Sequence, residues 1–243
     1  MLVLGISGRK QSGKTTAGNF IVSLYISKLG LAQKVMLDDE GQILLSDFGG
    51  NSNYYGLFQP HLIPESDIDA QNLLNRLYGQ VKIYNFADVL KQDICMNILG
   101  LTYEQCYGTD EEKNQMTHLK WNNESLSGRD AMQIIGTDIF RKLDPDVWVK
   151  ATISKIIREK PDLAIITDCR FPNEVSAIQN IGGKVIRLTR NPHNSDHLSE
   201  TILDKDKFDW SEFDHVIDNA ESSIYDQVNQ IKQLLEDLLG LNV

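Results

Sequence analysis

Apolar residues follow two periods along this chain of 243 residues. Short unbroken runs, LVLGIS (2–7), VKIYNF (81–86), LAIITD (163–168), KVIRLTR (184–190) and the brief HVIDN (215–219), predict strands of a parallel sheet. Between them the spacing becomes helical. Ala17, Phe20, Ile21, Leu24 and Tyr25 predict a helix that Gly30 ends, and ADVLKQDICMNILG predicts another. In SGRDAMQIIGTDIFRKL, Ser127 and Asp130 stand as a capping pair ahead of a stripe of Ala131, Ile135 and Ile139. Asp144 and Pro145 predict the cap and first residue of the next helix, and Pro172 opens one that Gly182 and Gly183 close. Ile224, Val228, Ile231, Leu235 and Leu238 give a last amphipathic helix. Strands alternating with helices imply an α/β fold of three layers, a parallel sheet with helices on both faces, built as one domain.

Two stretches are less regular. Residues 31–80 read as an insertion: KVMLDDEGQILLSD as two short strands around an Asp-Glu-Gly turn, and GGNSNYYGLFQPHLIPESD as loop. Residues 101–126 are polar and mixed, and predict short helices.

A hydrophobic content of 41% and a charged content of 24% suit an ordinary globular protein. No apolar run approaches the ~18 residues that span a bilayer, and Met1–Leu4 is too short for a signal-peptide core, so the expected compartment is the cytoplasm. The net charge of −10, with no segregated Lys/Arg block, argues against nucleic-acid binding. Cys95, Cys106 and Cys169 lack metal-site spacing and read as reduced thiols. His193 and His197 stand four apart, but in a loop-forming NPHNSDH context that does not present two ligands on a helix.

The sharpest chemical signal is GRKQSGKT, in which Gly8, Gly13, Lys14 and Thr15 satisfy G-x-x-x-x-G-K-[ST] between a predicted strand and a predicted helix. Glycines let backbone N–H groups curl around phosphates, and the helix N-terminus adds its partial positive charge. Lys14 is expected at the β and γ oxygens and Thr15 on Mg²⁺. Asp168, at the end of a buried strand, is the candidate second carboxylate for the metal.

What the loop does with the terminal phosphate depends on the rest of the chain. Cys169 stands where ATP-hydrolysing motors carry a water-activating Glu, and no Asn-Lys-x-Asp stretch reads guanine. LSGRD (126–130) resembles a transporter-ATPase signature only superficially, because the carboxylate strand lies far downstream. Transfer to a small acceptor remains. Lys10, Lys91, Arg129, Arg170 and Arg190 all fall at loop or element ends, where a phosphate-bearing acceptor would need cations.

The ordered set GRKQSGKTT, NFADVLK, GRDAMQIIGTDIFRKLDPDVWV, TDCRFPNEVSAIQNIGGKVIRLTR and DHLSE resembles the deoxynucleoside monophosphate kinases of tailed bacteriophages. The resemblance covers most of the chain, least of all residues 31–80. It implies an adenylate-kinase-like P-loop fold and Mg²⁺-dependent transfer of the ATP γ-phosphoryl group to a deoxynucleoside 5′-monophosphate. By the same resemblance Gln11, Ser12, Gly13, Lys14, Thr15 and Thr16 hold ATP. Lys10, Lys91 and Arg129 hold the acceptor phosphate, with Gly136, Thr137 and Trp148 near the nucleoside. Asp168 and Arg170 lie at the reacting phosphates, Glu174 meets the sugar or base, and Arg190 begins a lid-like segment (190–212) over ATP. A homodimer is also implied. From the residues alone, Trp148 fits a helix core equally well, and Glu174 fits a first-turn acid on a helix dipole. Two other readings stay open: another P-loop kinase such as one acting on dephospho-coenzyme A, and a non-catalytic ATP-binding regulator.

Overall fold

The computed structural model describes residues 1–50, 56–192 and 198–240. Its contacts divide the chain into two compact units, Met1–Tyr84 with Ile156–Val243, and Asn85–Lys155.

The first unit opens with β1 (Leu2–Ser7), buried along nearly its whole length, and α1 (Lys14–Lys28). The predicted insertion then forms a three-stranded antiparallel sheet of β2 (Lys34–Leu37), β3 (Ile43–Ser46) and β4 (Gly56–Leu57). Ile43, Leu45 and Phe48 sink its inner face into the same core as α1. Residues 51–55 of the expected loop lie outside the described residues. The stretch 68–80, expected to be irregular, is helix α2 (Ile68–Gln80). Asp67 caps it by accepting the N–H of Ala70 at 3.0 Å, and Ala70, Leu74 and Leu77 form its buried stripe. The spacing was there to be read, but the surrounding Pro, Gly and Asn obscured it. The half ends on β5 (Val81–Tyr84).

The second unit starts with a π-helical segment (Val89–Met96), then α3 (Tyr103–Tyr107) and α4 (Asp110–Lys113), each of the latter two opened by a capping box. The expectation of short helices holds for those two and fails after them. Residues 116–127 are a β-hairpin of β6 (Met116–Trp121) and β7 (Glu124–Ser127). Asn122 and Asn123, both at positive φ (50° and 67°), supply its two-residue turn, for which Asn is among the few suitable residues. Next come α5 (Gly128–Gln133), a π-helical turn (Ile134–Phe140), α6 (Arg141–Leu143) and α7 (Val147–Glu159), which runs on into the first unit. α7 begins two residues after Pro145, not at it. The Asp144 carboxylate accepts the N–H of Asp146 at 3.0 Å and pairs with Lys150, holding Pro145 and Asp146 in a turn. Leu90, Cys95, Leu101, Cys106, Ala131 and Trp148 form this unit's core.

The first unit resumes with β8 (Leu163–Cys169), α8 (Pro172–Asn180), β9 (Lys184–Leu188), α9 (Leu198–Thr201), β10 (His215–Ile217) and α10 (Ile224–Leu239). Five strands pair in the order β10-β9-β1-β8-β5, all parallel, as the alternating pattern predicts. Ile231, Leu234 and Leu235 of α10 are buried in the core; the Leu238 side chain lies outside the described ones. Among the described residues no helix is long and apolar enough to cross a membrane.

Ile165 is fully buried in β8, between β1 and β5. Ile165→Ala should cost about 2–5 kcal/mol of stability, read as a lower urea midpoint with an unchanged slope.

Candidate active site

The sheet delivers β1 and β8 side by side, with Ser7 opposite Cys169. The loop after β1 and the residues that end β8 therefore share one edge, the carboxyl ends of parallel strands where α/β proteins place ligands. Gly13 joins loop to α1 at φ 95°, and a Cβ there would lie 2.5 Å from the Gln227 Oε1. Glycine is required twice over, for the backbone angle and for the close approach. Ser12 is buried, and a Cβ on Gly8 would meet its hydroxyl. Gln11 adopts φ 58° at the exposed bend.

Lys14 is buried at the start of α1, and its ammonium donates to the carbonyls of Gly8 (2.8 Å) and Arg9 (2.6 Å). Burial, and after it the nearby Arg170 guanidinium, lowers its pKa from 10.5 to about 8; the charges of Glu200 and Asp168 oppose the shift. Thr15 is exposed and Thr16 half-buried on the first turn of the same helix.

From β8, Asp168 is half-buried at the strand end, within electrostatic reach of Lys14. Arg170 follows and is ion-paired with Glu200. Glu174 is buried, and its carboxylate accepts the N–H groups of Arg170 (2.7 Å) and Phe171 (3.0 Å), which is the capping geometry of a first-turn acid on α8. Burial pushes the Cys169 thiol well up, so it stays neutral and unreactive.

Three residues that the sequence left unmarked as site residues shape the loop from behind. Asn219 is fully buried and donates to the Ser12 carbonyl (2.8 Å) and to Gln227 Oε1 (2.8 Å). Gln227 in turn donates to the Gly13 carbonyl at 2.9 Å. Two amides thus hold consecutive loop carbonyls turned inward. Arg190 joins this network: its N–H donates to Asn219 Oδ1 (2.9 Å), and its guanidinium to the carbonyls of Asn219 and Ser222. Arg9 is the third, clamped on Asp204 and reaching Asn191. One signal was visible for Gln227, a polar residue lying on the apolar stripe of α10 three residues after Ile224.

The loop, Arg190 and Gln227 border a cavity of about 480 Å³ that Asp39 and Glu40 also line. The Asp-Glu-Gly turn of the insertion therefore has a place in the site. It is held there by Asn19, which donates to the Gly41 carbonyl at 2.9 Å. His193, His197 and the Asp196–His197 half of the DHLSE run lie outside the described residues.

The remaining candidates sit in the second unit. Lys91 lies over the Tyr107 ring at 4.4 Å, and Arg129 bonds Asn114 (2.9 Å) and Asp110 (2.7 Å). Trp148 is a core residue packed on Phe140, and its indole N–H donates to the Gly136 carbonyl at 3.0 Å. A Cβ on Gly136 would lie 2.7 Å from the Leu90 Cδ2, so the backbone there passes close to that side chain. Thr137 beside it is exposed.

Mg²⁺ keeps several waters and needs only one or two protein carboxylates alongside phosphate oxygens. An exposed hydroxyl at Thr15 and the Asp168 carboxylate at the adjacent strand end fit that requirement. Among the described residues no group of three or more His, Cys, Asp or Glu side chains is placed to hold a metal ion.

Because Lys14 titrates near pH 8 before any anion is bound, a polyphosphate should raise its pKa. Affinity should then fall as pH rises above about 8, with uptake of up to one proton per nucleotide at pH 8.5. Calorimetry in buffers of different ionisation enthalpy measures this, and Lys14→Met should remove the uptake.

Residues 2–231 match the model of the family described as deoxynucleotide monophosphate kinase. A putative deoxynucleotide monophosphate kinase of Acanthamoeba polyphaga mimivirus is 25% identical over 217 residues, covering 84% of this chain and 82% of that protein. The deoxynucleoside-5′-monophosphate kinase of Escherichia phage T5 is 31% identical over 84 residues, 34% of this chain and 30% of that one. An uncharacterized protein of Ictalurid herpesvirus 1, ORF77, is 35% identical over 86 residues, 32% of this chain and 37% of its own. With the parallel sheet, the phosphate loop and a family match over nearly its whole length, this chain belongs to the deoxynucleotide monophosphate kinase family of phosphotransferases.

Proposed function

We propose that the protein transfers the γ-phosphoryl group of ATP, with Mg²⁺, to a deoxynucleoside 5′-monophosphate, giving the deoxynucleoside diphosphate and ADP. The observation that carries this reading is the buried Lys14 at the mouth of a loop whose Gly8, Arg9, Ser12 and Gly13 carbonyls are all held by side-chain donors, which fixes the curl that a phosphate would enter. Gln11 to Thr16 hold the donor along the cavity, with Arg190 fixed in its wall.

In the transfer, an oxygen of the acceptor phosphate attacks the γ-phosphorus as the bond to the β–γ bridging oxygen breaks. ADP leaves with that electron pair. The attacking oxygen is already ionised at neutral pH, so no general base is needed, and positioning with charge stabilisation supplies the rate. Lys14, Arg170 and Arg190 absorb charge that builds on the transferring group. Thr15 and Asp168 would hold Mg²⁺, which neutralises phosphate oxygens when bound. Lys10, Lys91 and Arg129 serve the acceptor phosphate. Gly136 and Thr137 border the nucleoside, with Trp148 acting through its bond to the Gly136 carbonyl. The capped Glu174 supports the backbone that carries Arg170. The reading also includes host-cell cytoplasm as the compartment and a homodimer as the assembly.

ADP release followed with ATP, Mg²⁺ and a panel of deoxynucleotides, ribonucleotides and dephospho-coenzyme A tests the reading. Deoxynucleotides should stimulate release; stimulation by dephospho-coenzyme A alone, or by nothing in the panel, overturns it. Lys14→Ala should lower kcat by at least about 10²-fold. Arg129→Ala should raise KM for the acceptor about 10- to 100-fold with little change in kcat.

A further inference from the structure

Glu200 belongs to the DHLSE run that the sequence marks without explaining, and its surroundings assign it a task. One carboxylate oxygen accepts the backbone N–H of Lys10, inside the phosphate loop, at 2.5 Å. The other is ion-paired with the Arg170 guanidinium. The side chain is only 9% exposed. Its charge also acts on Lys14, raising a pKa that burial and Arg170 depress. A loop N–H, a guanidinium and a nearby ammonium are the partners that phosphate oxygens take in such loops.

A carboxylate in this position meets a need. Lys14 and Arg170 repel each other in a poorly hydrated place, and a resident anion offsets that repulsion. An arriving phosphate would supply the same compensation with more charge. The two anions would compete for the single Lys10 N–H, and like charges at contact distance beside Arg170 disfavour each other. Glu200 is also dispensable for attaching its segment to the loop. Four residues on, Asp204 is bonded by both Arg9 and Arg187, and Arg187 reaches back to the Ser7 hydroxyl at 3.1 Å.

We propose that Glu200 is an internal stand-in for the terminal phosphate of the donor, and that a nucleoside triphosphate binds by displacing it. The inference rests on the donor-loop part of the proposed function. It adds that Glu200 opposes the triphosphate and does not hold it.

The test is calorimetric binding of a non-hydrolysable ATP analogue and of ADP to the wild type, Glu200→Gln and Glu200→Ala. Thermal unfolding of each variant verifies its fold; Glu200→Gln keeps the side chain's size while removing the charge and exchanging one acceptor oxygen for an NH2 donor, and Glu200→Ala removes the group altogether. If the carboxylate occupies the position most of the time, removing it should tighten the analogue about tenfold and ADP less than about twofold. Unchanged or weaker analogue binding in both variants overturns the proposal. Equal tightening of analogue and ADP overturns the assignment to the terminal phosphate. The kinase reading fails separately: tighter analogue binding in the variants, with no deoxynucleotide-stimulated ADP release by the wild type, leaves the Glu200 proposal standing and removes the acceptor.

Discussion

An ammonium group carried out of water must find oxygen partners and compensating charge, and Lys14 finds both at the edge of the parallel sheet. The carbonyls of Gly8 and Arg9 accept its hydrogen bonds, while Asp168 and Glu200 oppose the field of Arg170. Much of the first unit can be understood as maintenance of that arrangement. β1 and β8 must pair in the observed register for Asp168 and Arg170 to stand beside the loop. The loop must keep its curl, which the amides of Asn219 and Gln227 secure by holding the Ser12 and Gly13 carbonyls. Those amides are buried and mutually bonded, so their own polar atoms are satisfied.

This division of labour separates residues that would meet a phosphate from residues that hold others in place. Glu174 spends its carboxylate on two backbone N–H groups and thereby fixes the turn that carries Arg170. Trp148 spends its indole N–H on Gly136. Arg190 is held through its backbone N–H and its guanidinium by the segment that precedes α10. Sequence identity alone cannot distinguish such roles, because an acid, a tryptophan or an arginine is plausible in either.

The sheet was legible because parallel strands buried on both faces leave unbroken apolar runs, and all five are where the runs stand. The phosphate loop was legible because its glycines and lysine are dictated by local backbone geometry. Other features were hidden for physical reasons. α2 starts from Asp67 as its cap and sits among turn-forming residues that mask its stripe. The β6–β7 hairpin is largely exposed, so its residues carry no clear alternation, and only Asn122-Asn123 announce the turn. The start of α7 moved because Asp144 bonds locally to form a turn and leaves Pro145 outside the helix. Asn219 gave no sign of being a site residue, and Gln227 only its polarity on an apolar stripe, because their loop partners lie more than 200 positions away in sequence.

The Asp-Glu-Gly turn gives the insertion a significance beyond its own small sheet. Gly41, at φ 76°, presses its backbone against Thr16, and Asn19 secures the turn from one helical step further on. The β2–β3 hairpin is consequently coupled to the first turns of α1, so a change in its length would be transmitted to the cavity that the phosphate loop borders. A segment that reads as the most expendable part of the chain is, mechanically, a wall of the room in which the nucleotide would sit.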